Sequence, residues 1–254
     1  MESSEFIRNP QLSGEDLYWK GNQTGFLLIH GFTATTAEVR LIAEKLHQAG
    51  FTAAAPLLPG HGTHPDDLNQ VSWHMWLEKV KETYEQLLDD CKHIYVIGES
   101  MGAILALELA AQHPEIAGLL LFAPAIKVRK LWLARLLAPF KKYLKKSDED
   151  DGLAWKGYNV YPLKAAVELL NMQRHARKLL PQLQQQLVVF TGAFDQTIAA
   201  NSADTIMTRI SSYQKCHILM KESDHCILLD RELDLAYRYI SAFVQCSENF
   251  QSEL

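Results

Sequence analysis

Gly98-Glu99-Ser100-Met101-Gly102 constrains this chain more than any other stretch, because it stands between a short apolar run, Ile94-Tyr95-Val96-Ile97, and a helix-like run from Ala103 to Gln112. A G-x-S-x-G between strand and helix describes a nucleophile elbow, a backbone turn so sharp that the serine is strained and its hydroxyl exposed. Side chains two residues before and after the serine would strike that turn, so both flanks call for glycine. Gly98 and Gly102 meet the demand. The pentapeptide alone occurs in many glycine-rich turns; its place between strand and helix makes it informative.

A serine hydroxyl is a poor nucleophile at neutral pH, so the elbow requires a histidine base and a carboxylate to orient it. In the architecture that owns this turn the order is serine, acid, histidine, each partner following a later strand. The run Leu187-Val188-Val189-Phe190 ends in Thr191-Gly192-Ala193-Phe194-Asp195, which makes Asp195 the candidate acid. Its rival Asp204 falls inside a helical stretch, Asn201 to Ile210, where a carboxylate ordinarily faces water. The last strand signal, His217-Ile218-Leu219-Met220, leads into Lys221-Glu222-Ser223-Asp224-His225, so His225 is the candidate base among ten histidines. Asp224 and Asp230 flank it too closely to come from a separate strand end.

Acyl transfer also needs donors aimed at the oxyanion. One is normally the N–H of the residue after the nucleophile, here Met101, at the start of a helix whose dipole favours negative charge. The other comes from a loop after an earlier strand. Phe26-Leu27-Leu28-Ile29 runs into His30-Gly31-Phe32-Thr33, which nominates the N–H of Phe32.

Together, His30-Gly31-Phe32-Thr33, Pro59-Gly60-His61-Gly62-Thr63, the elbow, Asp195, and Ser223-Asp224-His225 with Asp230 resemble the α/β-hydrolase superfamily. More narrowly, they are similar to its bacterial carboxylesterase and monoacylglycerol lipase branch, in the right order over about residues 20 to 245. The resemblance implies Ser100 as nucleophile, Asp195 and His225 as its relay partners, and Phe32 and Met101 as oxyanion donors. It also implies that Thr33 and His61 brace the active-site loops. Three positions depart from the branch's usual pattern: Ala103 and Ala34 stand where glycine is common, and Glu99 where an apolar residue is common. Both alanines are small enough to keep the packing. A carboxylate beside the nucleophile bears on rate, since a nearby charge shifts the titration of its neighbours.

The chain's bulk properties agree. With 254 residues, 48% hydrophobic and 22% charged, it suffices for one sizeable α/β core. A net charge of −5 argues against nucleic acid as a partner. Met1-Glu2-Ser3-Ser4-Glu5 has no basic region followed by an apolar one, and the longest apolar stretches, such as Ile116 to Ile126, fall short of the ~18 residues of a spanning helix. A soluble, cytoplasmic protein is expected. The four cysteines, Cys91, Cys216, Cys226 and Cys246, have no metal-ligand spacing, and no metal or cofactor is expected. Cys226 adjoins the candidate base, and a small packing role is expected of it.

Strand and helix alternate along the chain, which predicts a mostly parallel sheet with helices on both faces, the α/β-hydrolase fold. The core comprises residues 1–126 and 186–254. Residues 127–185, where the alternation stops, form a helical cap inserted after the sixth strand. A short acidic run, Asp148-Glu149-Asp150-Asp151, interrupts it. The first part of this insertion is basic, with Lys127, Arg129, Lys130, Arg135, Lys141, Lys142, Lys145 and Lys146 and no acid. Val128, Trp132, Leu136, Phe140 and Leu144 recur every four residues, widened by Leu133 and Leu137. This spacing predicts a basic amphipathic helix, kinked or split at Pro139, whose apolar face either roofs the active site or rests on an anionic lipid surface. An apolar roof favours acyl chains over sugars. The expected activity is a serine carboxylic-ester hydrolase acting through an acyl-enzyme on monoacylglycerol-like or medium-chain esters. A short-chain carboxylesterase, a hydroxycinnamoyl or thioester hydrolase, an acyltransferase and a ligand sensor on the same scaffold stay open as alternatives.

Overall fold

The computed structural model describes residues 3–147 and 152–252; the acidic run Asp148–Asp151 lies outside them. The elements begin with β1 (Ile7–Arg8), β2 (Leu17–Trp19), β3 (Thr24–Ile29), α1 (Ala37–Gln48) and β4 (Thr52–Ala55). They continue through α2 (Pro65–Leu68), α3 (Trp73–Asp90), β5 (His93–Glu99), α4 (Met101–Ala110) and β6 (Gly118–Phe122). The insertion holds α5 (Leu133–Leu137), β7 (Tyr143–Lys145), β8 (Gly157–Tyr158), β9 (Val160–Pro162) and α6 (Leu163–Leu179). The chain then returns to the core with β10 (Leu187–Gly192), α7 (Ser202–Arg209), β11 (Lys215–Met220) and α8 (Leu233–Ser252).

Seven strands form the central sheet in the order β11-β10-β6-β5-β3-β4-β2. All neighbours are parallel except β2, which runs antiparallel to β4 at one edge. The central strands β3 and β6 are buried at every position, as expected of parallel strands covered on both faces. Phe122 of β6 and Phe190 of β10 stack with centroids 4.2 Å apart and ring planes nearly parallel. α4 is buried along its whole length, so every one of its residues serves packing.

The alternation of strand and helix is as the sequence predicts from β3 to β6 and again from β10 to α8. The insertion differs. Where the four-residue spacing predicts a helix through Lys127–Lys146, the structure has only the short α5, then a turn at Pro139 and the strand β7. The backbone of residues 127–129 is occupied elsewhere: Val128 bridges Ile198, Arg129 N–H donates to Thr197 O and Ala199 N–H to Lys127 O. Downstream, Pro139 cannot continue a helix, and Tyr143–Lys145 finds an antiparallel partner in β9. Among the described residues, α5, α6, a single 3-10 turn at Leu180–Gln182 and short ribbons thus make up the segment between β6 and β10. α6 is fastened to the core by Gln173, which donates to Ala125 O, and by His175, whose ring lies 2.8 Å from the buried Glu108 carboxylate of α4. Among the described residues no helix is long and apolar enough to cross a membrane.

Phe190→Ala removes one half of the stacked pair at a fully buried site, and a loss of ~3–5 kcal/mol is expected from such a cavity. Equilibrium urea unfolding measures it; a loss below about 1 kcal/mol means the core refills the space.

Candidate active site

The β5–α4 turn puts Ser100 at φ 55° and ψ −110°, a conformation outside the ordinary regions for a non-glycine residue. Its neighbours enforce it. A Cβ on Gly98 would lie 2.4 Å from the Gly102 backbone, and one on Gly102 would lie 2.0 Å from Ile29 O, so both must be glycine. Ser100 N–H donates to Phe122 O at 2.9 Å and Ser100 O accepts from Ala125 N–H at 3.0 Å, which ties the elbow to the end of β6.

The loops after β10 and β11 bring the other two candidates to this serine. His225 Nε2 lies 2.9 Å from Ser100 Oγ, and His225 Nδ1 lies 2.8 Å from Asp195 Oδ2. Asp195 Oδ1 accepts from the N–H groups of Thr197 at 2.7 Å and Ile198 at 3.1 Å. Burial alone would raise the Asp195 carboxyl, but the bond and charge of His225 and these two N–H groups outweigh it and hold it below the usual range. Asp195 is therefore ionised and aimed at the imidazole. Asp204 is exposed on α7, and Asp230 is used by the loop itself, accepting from Asp224 N–H at 2.7 Å.

Phe32 and Met101 flank the serine from the β3 exit and the start of α4. Among the described residues neither N–H donates to a protein acceptor. The loop of Phe32 is held from below by Glu38 of α1, whose Oε2 accepts from Gly31 N–H. Thr33 carries a positive φ of 68°. Buried His30 accepts from Leu58 N–H at Nε2, and burial lowers it to about 4. Burial and the neighbouring His30 ring push His61 well below its ordinary range. Both rings are neutral at neutral pH and pack against each other edge to face, with centroids 4.9 Å apart.

Two acids in this region escape a reading of the sequence. Glu38 sits at an ordinary-looking helix position, and Glu232 follows the base by seven residues; nothing in their spacing marks them. Glu232 takes the N–H groups of Lys221 and Glu222 and the hydroxyl of Ser223, fixing the loop that carries His225. Glu99, visible in sequence as a departure, is fully buried; its Oε1 accepts from Leu228 N–H at 3.1 Å, while Oε2 has no partner among the described residues. Burial, reinforced by the Glu38 charge, pushes its carboxyl well above the usual range. Glu99 thus stands as a neutral acid tying the nucleophile turn to the stretch after His225.

Residues 22–153 match the family Hydrolase_4, described as "Serine aminopeptidase, S33". A thermostable monoacylglycerol lipase of Bacillus sp. (strain H-257) is 32% identical over 230 residues, covering 87% of this chain and 90% of that one. A carboxylesterase of Bacillus subtilis (strain 168) is 29% identical over 233 residues, covering 89% and 94%. Among solved structures, one described with the metagenome-derived lipolytic enzymes LipS and LipT superposes with a TM-score of 0.87 at 27% identity, over 91% of this chain and 97% of that one.

The raised Glu99 carboxyl links stability to pH. The folded chain keeps this proton above the ordinary value of 4.5, so it binds more protons than the unfolded chain and loses stability as pH rises from there. Glu99→Gln keeps the acceptor and removes the titration. Its melting temperature is expected to exceed that of the unsubstituted protein by a margin that widens as pH rises above about 5; a margin that stays constant contradicts a neutral Glu99.

Proposed function

The chain belongs to the α/β-hydrolase family described as "Serine aminopeptidase, S33", and from that premise we propose that Ser100, His225 and Asp195 are its catalytic triad. The protein is a serine carboxylic-ester hydrolase. The observation that carries the assignment of residues is the unbroken chain from Ser100 Oγ through the imidazole to Asp195, at 2.9 and 2.8 Å, starting from a strained elbow. His225 Nε2 takes the hydroxyl proton as Ser100 Oγ attacks the ester carbonyl. Asp195 holds Nδ1–H and steadies the imidazolium that forms. The N–H groups of Phe32 and Met101 donate to the tetrahedral oxyanion. The imidazolium then protonates the departing alcohol, and a water activated by the same base releases the acid from the acyl-enzyme.

The substrate we assign is a monoacylglycerol-like or medium-chain ester, with residues 127–185 as lid. Similarity to the monoacylglycerol lipase supports the class. The interior of the lid supports an acyl chain: Ala134, Leu163 and Ala166 form an apolar cluster packed against Phe32, Leu131, Leu137 and Leu144, beside the oxyanion loop. A short-chain carboxylesterase is the second reading, favoured by the carboxylesterase relative. Cys91, Cys216 and Cys246 stand outside any disulfide, which suits a reducing compartment, in keeping with the cytoplasm.

The outer face of the lid suits a lipid surface. Trp132, Leu136 and Phe140 are 57, 58 and 85% exposed, which favours the second of the two faces expected of this segment, the one resting on a lipid surface, over a roof on the site. Exposed Lys130, Arg135, Lys141 and Lys142 surround them on a chain of net charge −5. Aromatic anchors among cations are the composition of an interfacial segment.

Ser100→Ala is expected to abolish turnover with circular dichroism unchanged, and Asp195→Asn to lower kcat by about 10⁴, as loss of the correct tautomer does elsewhere. Asp204→Asn should be silent; if it is the damaging change, the acid is misassigned. Rates over an acyl-length series including monoacylglycerols separate the two substrate readings, with a peak at acetyl or butyryl supporting the second. Phe140→Glu is expected to weaken sedimentation with anionic vesicles while leaving hydrolysis of a soluble butyrate ester intact; unchanged sedimentation removes the lipid-surface role.

A further inference from the structure

Thr33 occupies a conformation its side chain disfavours. Ala34 N–H donates to Gly31 O at 3.3 Å, and of the two residues between them only Thr33 has a positive φ, 68°. That is the pattern of a type II turn with Phe32 in its first central position and Thr33 in its second, where glycine is normally required. A β-branched residue persists there only when its surroundings over-determine it.

The groups that do so come from the insertion. Thr33 O accepts from Tyr158 N–H at 2.8 Å. Ala34 bridges Gly157, and Thr35 Oγ1 donates to Lys156 O at 3.0 Å. Lys146 Nζ donates to Thr33 Oγ1 at 2.6 Å, with its ammonium over the rings of Trp155 at 4.8 Å and Tyr161 at 5.0 Å. Thr33 Oγ1 in turn donates to Phe32 O. The approach is too close for any side chain at Gly157, whose Cβ would lie 2.2 Å from Thr33 O. The buried Tyr158 hydroxyl continues inward, donating to Gly60 O at 2.7 Å and accepting from Thr63 N–H at 3.1 Å.

We propose that Lys146 and the segment Lys156–Tyr158 are positioning residues of the oxyanion hole: they clamp Thr33 in the left-handed region and thereby aim the Phe32 N–H at the oxyanion beside Ser100. The inference rests on the reading of Phe32 as an oxyanion donor. With Glu38 holding Gly31 from the core side, the turn is gripped at both ends, and only the outer grip belongs to the lid. Seating the lid and assembling the oxyanion hole are then one event. A lid that lifts releases Thr33, lets the turn relax and withdraws the donor.

The test uses the full chain, a soluble short-chain chromogenic ester, and an alkyl trifluoromethyl ketone, which forms an oxyanion on the serine. Lys146→Met and Gly157→Ala are expected to lower kcat by about 10- to 100-fold, short of or equal to the loss of one donor, with KM within about twofold. Affinity for the ketone falls in parallel, and Lys146→Arg restores part of both. A generally loosened fold would instead lower the melting temperature and the fraction of labelled serine. Phe32→Pro read against Phe32→Ala is the control: both lose the ring that packs beside His61 and Trp76, but proline, which fits the first central position of a type II turn, lacks the N–H as well; a loss of about 100-fold or more relative to Phe32→Ala is expected. If Gly157→Ala does not fold, Lys146→Met decides. Loss in Phe32→Pro with Lys146→Met unaffected in kcat and ketone affinity overturns the clamp and leaves the donor assignment standing. Full activity in Phe32→Pro overturns the donor assignment and the clamp with it.

Discussion

Backbone pressed against backbone is the constraint on which the rest of this structure depends. With no side chain at Gly98 or Gly102, the β5–α4 turn lies directly on the exit of β3, where even a methyl group would meet Ile29 O at 2.0 Å. The contact leaves Ser100 no relaxed conformation, and it sets this residue beside the loop that carries Phe32. Strain at a functional residue persists only where the surroundings hold it. Here they are the buried sheet, the stacked Phe122 and Phe190, and hydrogen bonds to both ends of Ser100.

The core and the three candidate catalytic residues were legible in the sequence because each depends on local rules. The glycines report a turn, apolar runs report buried strands, and chain order narrows the acid and base. The insertion was not legible in the same way. Its four-residue spacing from Val128 to Leu144 is genuine, but partners distant in sequence claimed the backbone first: residues 197–199 drew 127–129 into extended pairing, and β9 drew in β7. Helix propensity is a weak prior against such tertiary hydrogen bonds. The short edge strand β2 left little signal either, since three residues establish no period. Glu38 and Glu232 were invisible for another reason: their work is done on main-chain N–H groups, which the sequence does not distinguish.

Asp195 and Glu99 divide the labour by charge. Asp195 is kept ionised by His225 and two amides, as the role proposed for it beside an imidazolium demands. Glu99 is deprived of water and faces Glu38, so its proton stays on. A neutral acid can hold the Leu228 amide without adding a further full charge beside Ser100. Two carboxyl groups of one region are thereby given different duties by environment alone.

The grip of the insertion on the loop of Phe32 is made largely of main-chain atoms: Thr33 O, Tyr158 N–H, Lys156 O and the bare backbone of Gly157. Main-chain atoms are the same whatever residue carries them. Substrate preference can therefore drift through replacements elsewhere in residues 127–185 without each change having to rebuild the catalytic geometry. An engineer seeking a new ester specificity has the same freedom, provided that Lys146, Gly157 and the immediate neighbours of Gly157 are left alone.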